Sequence, residues 1–167
     1  DEDFVGNYQH ISMICSLIKQ HSNEERIEFG GSTSVHTLIR LGDKLDTCLE
    51  MMRKSDISYI FLGIESGSNS QLSRYCKGVT VAQNETIISK LRSYNFDIDI
   101  GFIMFDSATT INELEENIAF IKRNNLCDYL SRFSKKLRLT PHTAIFEKYK
   151  KNGLIQSDLD INQLIYE

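Results

Sequence analysis

The chain has 167 residues, of which 41% are hydrophobic and 25% charged, the composition of one globular domain long enough to bury a substantial core, which excludes a disordered segment. Its formal net charge of −4, with Lys and Arg scattered, provides no field to attract nucleic acid or an anionic membrane. No apolar run reaches the roughly 18 residues of a membrane helix, and the opening DEDFVGNYQH lacks the pattern of a signal peptide, so a cytoplasmic protein is expected.

Ile11, Ile14, Cys15 and Ile18 recur at the spacing of an amphipathic helix. A short strand is expected over Arg26 to Phe29, followed by a polar loop, after which Leu45, Cys48, Leu49 and Met52 repeat the helical spacing up to Lys54. Ile57 to Ile64 is rich in β-branched and aromatic residues and reads as a strand. Ser68 is placed to cap a short helix over Asn69 to Cys76, and Thr80 a longer one over Val81 to Arg92 that turns Ile87, Ile88 and Leu91 inward. Phe96 to Phe105 is the next strand. The helix after it carries Leu114, Ile118 and Ile121 on one face, with Glu113, Glu115 and Glu116 in early turns where the helix dipole favours acids. A last strand over Lys136 to Thr140 is closed by Pro141, and a helix from Ala144 to Lys151 is stopped by Gly153.

The resulting order, αβαβααβαβα, predicts an α/β fold with a parallel sheet of about four strands covered by helices, in a single domain spanning residues 1–167. In such sheets ligands gather beyond the carboxyl ends of the strands, which places Glu65, Ser66, Gly67, Ser68, Asp106 and Ser107 where chemistry would sit. Cys15, Cys48, Cys76 and Cys127 are widely separated and form no CxxC or CxxxCxxC group, so they read as buried thiols rather than metal ligands. His10, His21, His36 and His142 are likewise dispersed. Two small basic groups, Lys135, Lys136 and Arg138, then Lys148, Lys150 and Lys151, read as solvated element ends.

Four segments in order carry a family resemblance: GIESGS at Gly63 to Ser68, KGVT at Lys77 to Thr80, GFIMFDSATT at Gly101 to Thr110, and LRLTPHTAIFEKYKKNGLI at Leu137 to Ile155. They resemble successive parts of the radical S-adenosylmethionine core domain. The likeness is to the branch with oxygen-independent coproporphyrinogen oxidase, the methylthiotransferases and many cobalamin-associated members. DEDF at Asp1 to Phe4 resembles the acidic, aromatic loop after that family's second strand.

The resemblance implies a truncated partial (β/α)6 TIM-like barrel that lacks the first strands and the cluster loop. It implies S-adenosylmethionine and a [4Fe-4S] cluster as cofactors of a longer polypeptide, with cobalamin a further cofactor in many members. CxxxCxxC is absent from this chain, so the cluster ligands would lie in an upstream part of the same polypeptide, and the chain alone would be inactive. A first strand stripped of its neighbours would expose a sheet edge open to self-association.

By the same resemblance, Glu65 stands at the end of the family's fourth strand, where a polar residue contacts the amino-acid or ribose part of the cofactor, with Ser66 beside it. Lys77 stands where relatives place a basic residue near the cofactor carboxylate. Glu28, at the end of the strand expected over Arg26 to Phe29, corresponds to an acid that some relatives turn toward the cofactor's amino group. Met104 to Ser107 replace the glycine and proline usual in the fifth-strand loop.

From the residues alone each position has another reading. Glu65 is a strand-end acid, Ser66 and Ser68 are caps, Lys77 is a surface lysine before the turn at Gly78, and Asp106 caps the next helix. Two other functions fit the residues. One is a non-catalytic α/β module that binds a partner protein, or a small anionic ligand at Gly67 and Ser68. The other is a barrel enzyme for a phosphorylated metabolite.

Overall fold

A computed structural model describes residues 3–21, 28–128, 137 and 139–155. The first helix, α1 (Tyr8–His21), buries Ile11 and Cys15 as its spacing requires. The first strand, β1, runs over Phe29–Ser34; Glu28 precedes it and Arg26 and Ile27 lie outside the described residues, so the expected end at Phe29 is corrected. Its sequence, FGGSTS, has no apolar alternation to announce a strand. Gly30 and Gly31 are there because neighbours fill the space of a side chain: a Cβ on Gly31 would stand 2.4 Å from Phe4 Cγ, and one on Gly30 2.6 Å from Tyr59 Cδ1. Ser34 then caps a helix that periodicity does not reveal, α2 (Val35–Arg40), by accepting the Thr37 N–H at 3.1 Å.

A 3-10 turn over Gly42–Lys44 leads into α3 (Leu45–Arg53), which buries Cys48, Leu49 and Met52. The second strand, β2 (Ile57–Glu65), is followed by α4 (Asn69–Arg74) and α5 (Val81–Ser93). Thr80 and Gln83 form a reciprocal capping box at the start of α5. The third strand, β3 (Asp97–Phe102), precedes α6 (Ile111–Arg123), which opens with a second capping box, Thr110 with Glu113. The last helix, α7 (Ala144–Lys151), is capped by Thr143.

The three strands are all parallel, in the order β1-β2-β3. Of the strand expected over Lys136 to Thr140, Lys136 and Arg138 lie outside the described residues. Leu137 donates its N–H to the Phe105 carbonyl at 2.8 Å, and Leu139 packs with Tyr75, Ile145 and Tyr149 in a small second core. The described residues thus form an α/β unit whose three-stranded parallel sheet is flanked by helices.

The two faces of the sheet differ. Ile60, Leu62 and Ile64 of β2 and Ile98 and Ile100 of β3 share the face that carries the main core, with Val35, Leu38, Leu49, Ile88, Leu91 and Phe120 from the helices. The register places Gly30, Ser32 and Ser34, then Tyr59, Phe61 and Gly63, then Asp97, Asp99 and Gly101, on the opposite face. Side-chain composition therefore separates an apolar, helix-covered face from one of small, aromatic and acidic residues.

On α6 the expected inward stripe is half corrected. Ile121 is buried, but Ile118 is 47% exposed, and Glu113, Asn117 and Phe120 face inward instead. Cys15 and Cys48 are buried thiols as expected, and burial pushes the Cys48 thiol up to about 12. Cys76 and Cys127 are exposed, because each follows a helix end rather than facing the core.

Candidate functional site

Glu65 ends the central strand in an unusual backbone conformation. Its φ is +67°, and Ser66 donates its N–H to the Ile64 carbonyl at 2.9 Å, closing a three-residue γ-turn of the rare hand with Glu65 at its centre. The pairing register with β3 slips at the same point, between Gly63 and Glu65. Left-handed backbone suits glycine, so a Glu here carries a strain of about 1–3 kcal/mol. The Glu65 carbonyl is nonetheless fixed, accepting the Ile103 N–H at 2.8 Å.

The turn sets the side chain's direction. Glu65 Oε1 lies 3.3 Å from the point where a Cβ on Gly63 would stand, so the carboxylate folds back over the sheet face opposite the helices. Lys77, on the loop after α4, donates to the same oxygen at 2.8 Å, and both side chains remain partly open to solvent. Among the described residues only Oε1 is engaged. A second carboxylate oxygen and an ammonium with spare N–H donors thus stand side by side at the carboxyl end of the middle strand.

Ser66 is fully buried, with its hydroxyl turned into the protein. Ser66 Oγ lies 2.6 Å from Gln71 Oε1 and 3.0 Å from Asn117 Oδ1, and accepts the Ser68 N–H at 3.0 Å. Asn117 Oδ1 also accepts the Gly67 N–H at 2.7 Å, while Asn117 Nδ2 donates to Gln71 Oε1 at 2.8 Å. Ser68 does not cap α4 with its hydroxyl, which instead shares a hydrogen bond with Ser70 Oγ at 2.9 Å. Gly67 and Ser68 therefore have both N–H groups committed internally, which corrects the expectation of an anion site there.

Gly67 is required by packing, since a Cβ on it would stand 2.3 Å from Phe120 Cβ on α6. The Gly-Ser turn after β2 is thus pressed against α6, and the polar groups freed by the turn are answered by α4 and α6 side chains.

Glu28 stands at the opposite end of the sheet. Because β1 begins at Phe29, Glu28 precedes the strand, and its exposed carboxylate accepts a hydrogen bond from Ser58 Oγ at 3.3 Å, near the start of β2. The expected position at a strand's carboxyl end is corrected, and Glu28 does not join Glu65 and Lys77. Asp3 comes closer to that end: its carboxylate accepts from Thr33 Oγ1 at 2.8 Å and from Thr37 Oγ1.

Asp106 does not cap α6, a task Thr110 performs. Asp106 Oδ2 instead accepts from Arg74 Nη2 at 2.8 Å, Arg74 Nε at 3.1 Å and the Tyr75 hydroxyl at 2.7 Å. The same guanidinium reaches Glu113 Oε1 and Oε2 at 2.8 and 2.9 Å. Arg74 ties the loop after β3 to α4 and α6, with both carboxylates nearly or wholly buried.

Its hydrogen bonds hold the Glu113 carboxyl at about 2, well below the usual carboxylate range. Burial pushes Asp106 up, but the hydrogen bonds from Arg74 and Tyr75 outweigh it and leave Asp106 low. Burial, then the bond to Asp106, raises the Tyr75 hydroxyl. Ser107 Oγ lies 3.4 Å from the Tyr149 hydroxyl on α7. Lys148, Lys150 and Lys151 are exposed on α7 as expected, while Lys135 and Lys136 lie outside the described residues.

Among the described residues no three of His, Cys, Asp and Glu converge as metal ligands, and no helix is long and apolar enough to cross a membrane. The side chains present do not fit a [4Fe-4S] cluster. They do fit a small zwitterion or a polyol at Glu65 and Lys77. The described residues thus belong to the α/β class with a parallel sheet, and carry this charged pair beyond the end of the central strand.

Comparisons with known proteins narrow that class. No family model matches the chain. A curated relative from Priestia megaterium, 4'-phospho-dehydrooxetanocin synthase, is 32% identical over an alignment of 139 positions that covers 75% of this chain and 18% of the relative. The solved structure of the cobalamin-dependent S-adenosylmethionine radical enzyme OxsB with aqua-cobalamin bound superposes with a TM-score of 0.64 at 30% identity, covering 90% of this chain and 21% of that one. The form with aqua-cobalamin and S-adenosylmethionine bound gives the same values. These likenesses support a radical S-adenosylmethionine family for this chain, which spans about a fifth of the length of the proteins it matches.

Proposed function

We propose that the chain is the later part of a radical S-adenosylmethionine core domain, of the cobalamin-associated branch, and that its own task is to position S-adenosylmethionine. The observation that carries this reading is the Glu65–Lys77 pair, held on a strained turn at the carboxyl end of the middle strand. The similarity to an enzyme solved with S-adenosylmethionine and cobalamin bound supports it.

In this reading the free Glu65 oxygen accepts hydrogen bonds from the ammonium or the ribose hydroxyls of the cofactor, and the Lys77 ammonium pairs with its carboxylate. Ser66 acts from behind, its buried hydroxyl fixing the turn that presents Glu65. Once bound, S-adenosylmethionine supplies the radical chemistry characteristic of the family. The cluster belongs to an upstream part of a longer polypeptide, and this chain by itself is inactive. No residue here is assigned to cobalamin.

The test is calorimetric titration of the natural polypeptide carrying this chain with S-adenosylmethionine. Glu65→Gln should weaken binding about tenfold or more, the worth of one hydrogen bond to a charged group. Unchanged affinity would remove Glu65 from the site. Reading the coding sequence upstream tests the cluster: a CxxxCxxC segment is the expected finding, and its absence from the whole polypeptide sinks the assignment.

A further inference from the structure

The two carbonyls on either side of Glu65 are held by one side chain. Asn84 Nδ2, on α5, donates to the Ile64 carbonyl and to the Ser66 carbonyl, each at 3.1 Å. In an extended strand those two oxygens would stand about 6.6 Å apart, two residues along the chain. A single amide nitrogen spans both because the γ-turn at Glu65 contracts the chain between them.

Asn84 is fully buried, and its Oδ1 has no hydrogen-bond partner among the described residues. Turning the amide over would set that oxygen against two carbonyl oxygens, so the two acceptors fix its orientation. A leucine would fill similar space without the orphaned Oδ1, but it would take away the donor held by the buried Ser66 carbonyl. Filling space therefore gives no reason for an amide at this position, whereas holding the two carbonyls does. What the amide alone provides is a pair of donors aimed at the two peptide groups that frame a left-handed, non-glycine residue.

The geometry points to Asn84 as a positioning residue for the ligand site: it clamps the turn at Glu65, so that the carboxylate projects over the sheet face opposite the helices. Asn84 itself does not touch the ligand. This inference rests on the reading of Glu65 as a contact to S-adenosylmethionine.

A double-mutant cycle in the natural polypeptide separates the two. S-adenosylmethionine affinity is measured by calorimetry for the parent, Asn84→Leu, Glu65→Gln and the double variant, with urea unfolding in parallel. Glu65→Gln is expected to weaken binding about tenfold. Asn84→Leu alone should weaken it severalfold, and the same change made on top of Glu65→Gln should add no further loss.

Full affinity in Asn84→Leu, or an equal loss in both backgrounds, overturns the role of Asn84 while leaving Glu65 in place. If Glu65→Gln itself has no effect, the ligand reading of Glu65 has failed and the clamp fails with it. Should Asn84→Leu not fold, Asn84→Ser, whose hydroxyl reaches at most one of the two carbonyls, enters the same cycle with the same readings.

Discussion

Lys77 Nζ stands 2.8 Å from Glu65 Oε1 across 12 residues of chain, and this partly exposed ion pair is bought at a backbone cost larger than its own worth. A half-solvated pair contributes roughly 0–1 kcal/mol, whereas holding a non-glycine residue at positive φ costs about 1–3 kcal/mol. Fold stability alone would favour glycine at position 65. On the proposed reading, contact with the cofactor is what a carboxylate at that position provides in return for the strain.

The strain gives a direct expectation. Glu65→Gly should unfold at a higher urea concentration than Glu65→Ala by about 1 kcal/mol, because both lose the carboxylate but only glycine is relaxed in the left-handed region. Equal stabilities would mean that the turn at Glu65 is not under strain.

Gly67 makes the opposite prediction. A Cβ there meets Phe120 Cβ at 2.3 Å, so Gly67→Ala must push α6 away from the turn. The expected loss, read from urea midpoints, is at least about 1–3 kcal/mol, and because the nearest atom is the Phe120 Cβ, shortening that side chain should not restore it. A Gly67→Ala protein as stable as the parent would show that α6 does not approach this closely.

Behind that turn, Asn117 answers a buried main-chain donor, the Gly67 N–H, at 2.7 Å. Asn117→Leu leaves that donor without a partner among the described residues, while Gln71 Oε1 loses Asn117 Nδ2 but keeps the Ser66 hydroxyl. A destabilisation of roughly 1–3 kcal/mol for the orphaned N–H is expected from urea midpoints. The network would be dispensable if the midpoint stayed put.

The elements that local rules govern were legible in the sequence. Thr80, expected to cap α5, does so in a reciprocal box with Gln83, whereas the cap of α6 falls to Thr110 with Glu113 and not to Asp106. β2 could be read from ISYIFLGI, within one residue of its end. β1 could not, because its Gly-Gly-Ser stretch is shaped by Phe4 and Tyr59, residues distant in sequence, and the misplaced boundary carried Glu28 to the wrong end of the sheet.

On α6, apolar spacing pointed to Ile118, but the helix turns Glu113 and Asn117 inward because Arg74 and the Gly67 turn need them. Those partners lie 39 and 50 residues away, beyond the reach of any periodicity. The same holds for Asp106 and Arg74, 32 residues apart. The acid at position 65 was identified from its strand end and its resemblance. The resemblance also singles out Lys77, as a base near the cofactor carboxylate, but nothing in the sequence announces its ion pair with Glu65, and Asn84, helical and unremarkable in sequence, gives no signal.

The Arg74 cluster makes acid stability a test of the fold at this end of the sheet. Glu113 is held at about 2 by its hydrogen bonds to Arg74, and Asp106 is held low by Arg74 and Tyr75 in spite of burial. With folded values below those of the unfolded chain, the unfolded state takes up protons first as pH falls. The cluster's contribution is therefore complete above about pH 5 and drains away as pH falls toward 2. Arg74→Met removes the cation that holds both acids ionised and leaves two buried carboxylates facing each other. It should cost about 3–5 kcal/mol at pH 7, the effect of breaking a buried ion pair from one side. Without Arg74 the carboxyls are easier to protonate in the folded chain than in the unfolded one, so the variant's urea midpoint should hold or rise between pH 5 and pH 3 while the parent's falls. Parallel pH profiles in the two proteins would place the acid sensitivity elsewhere in the molecule.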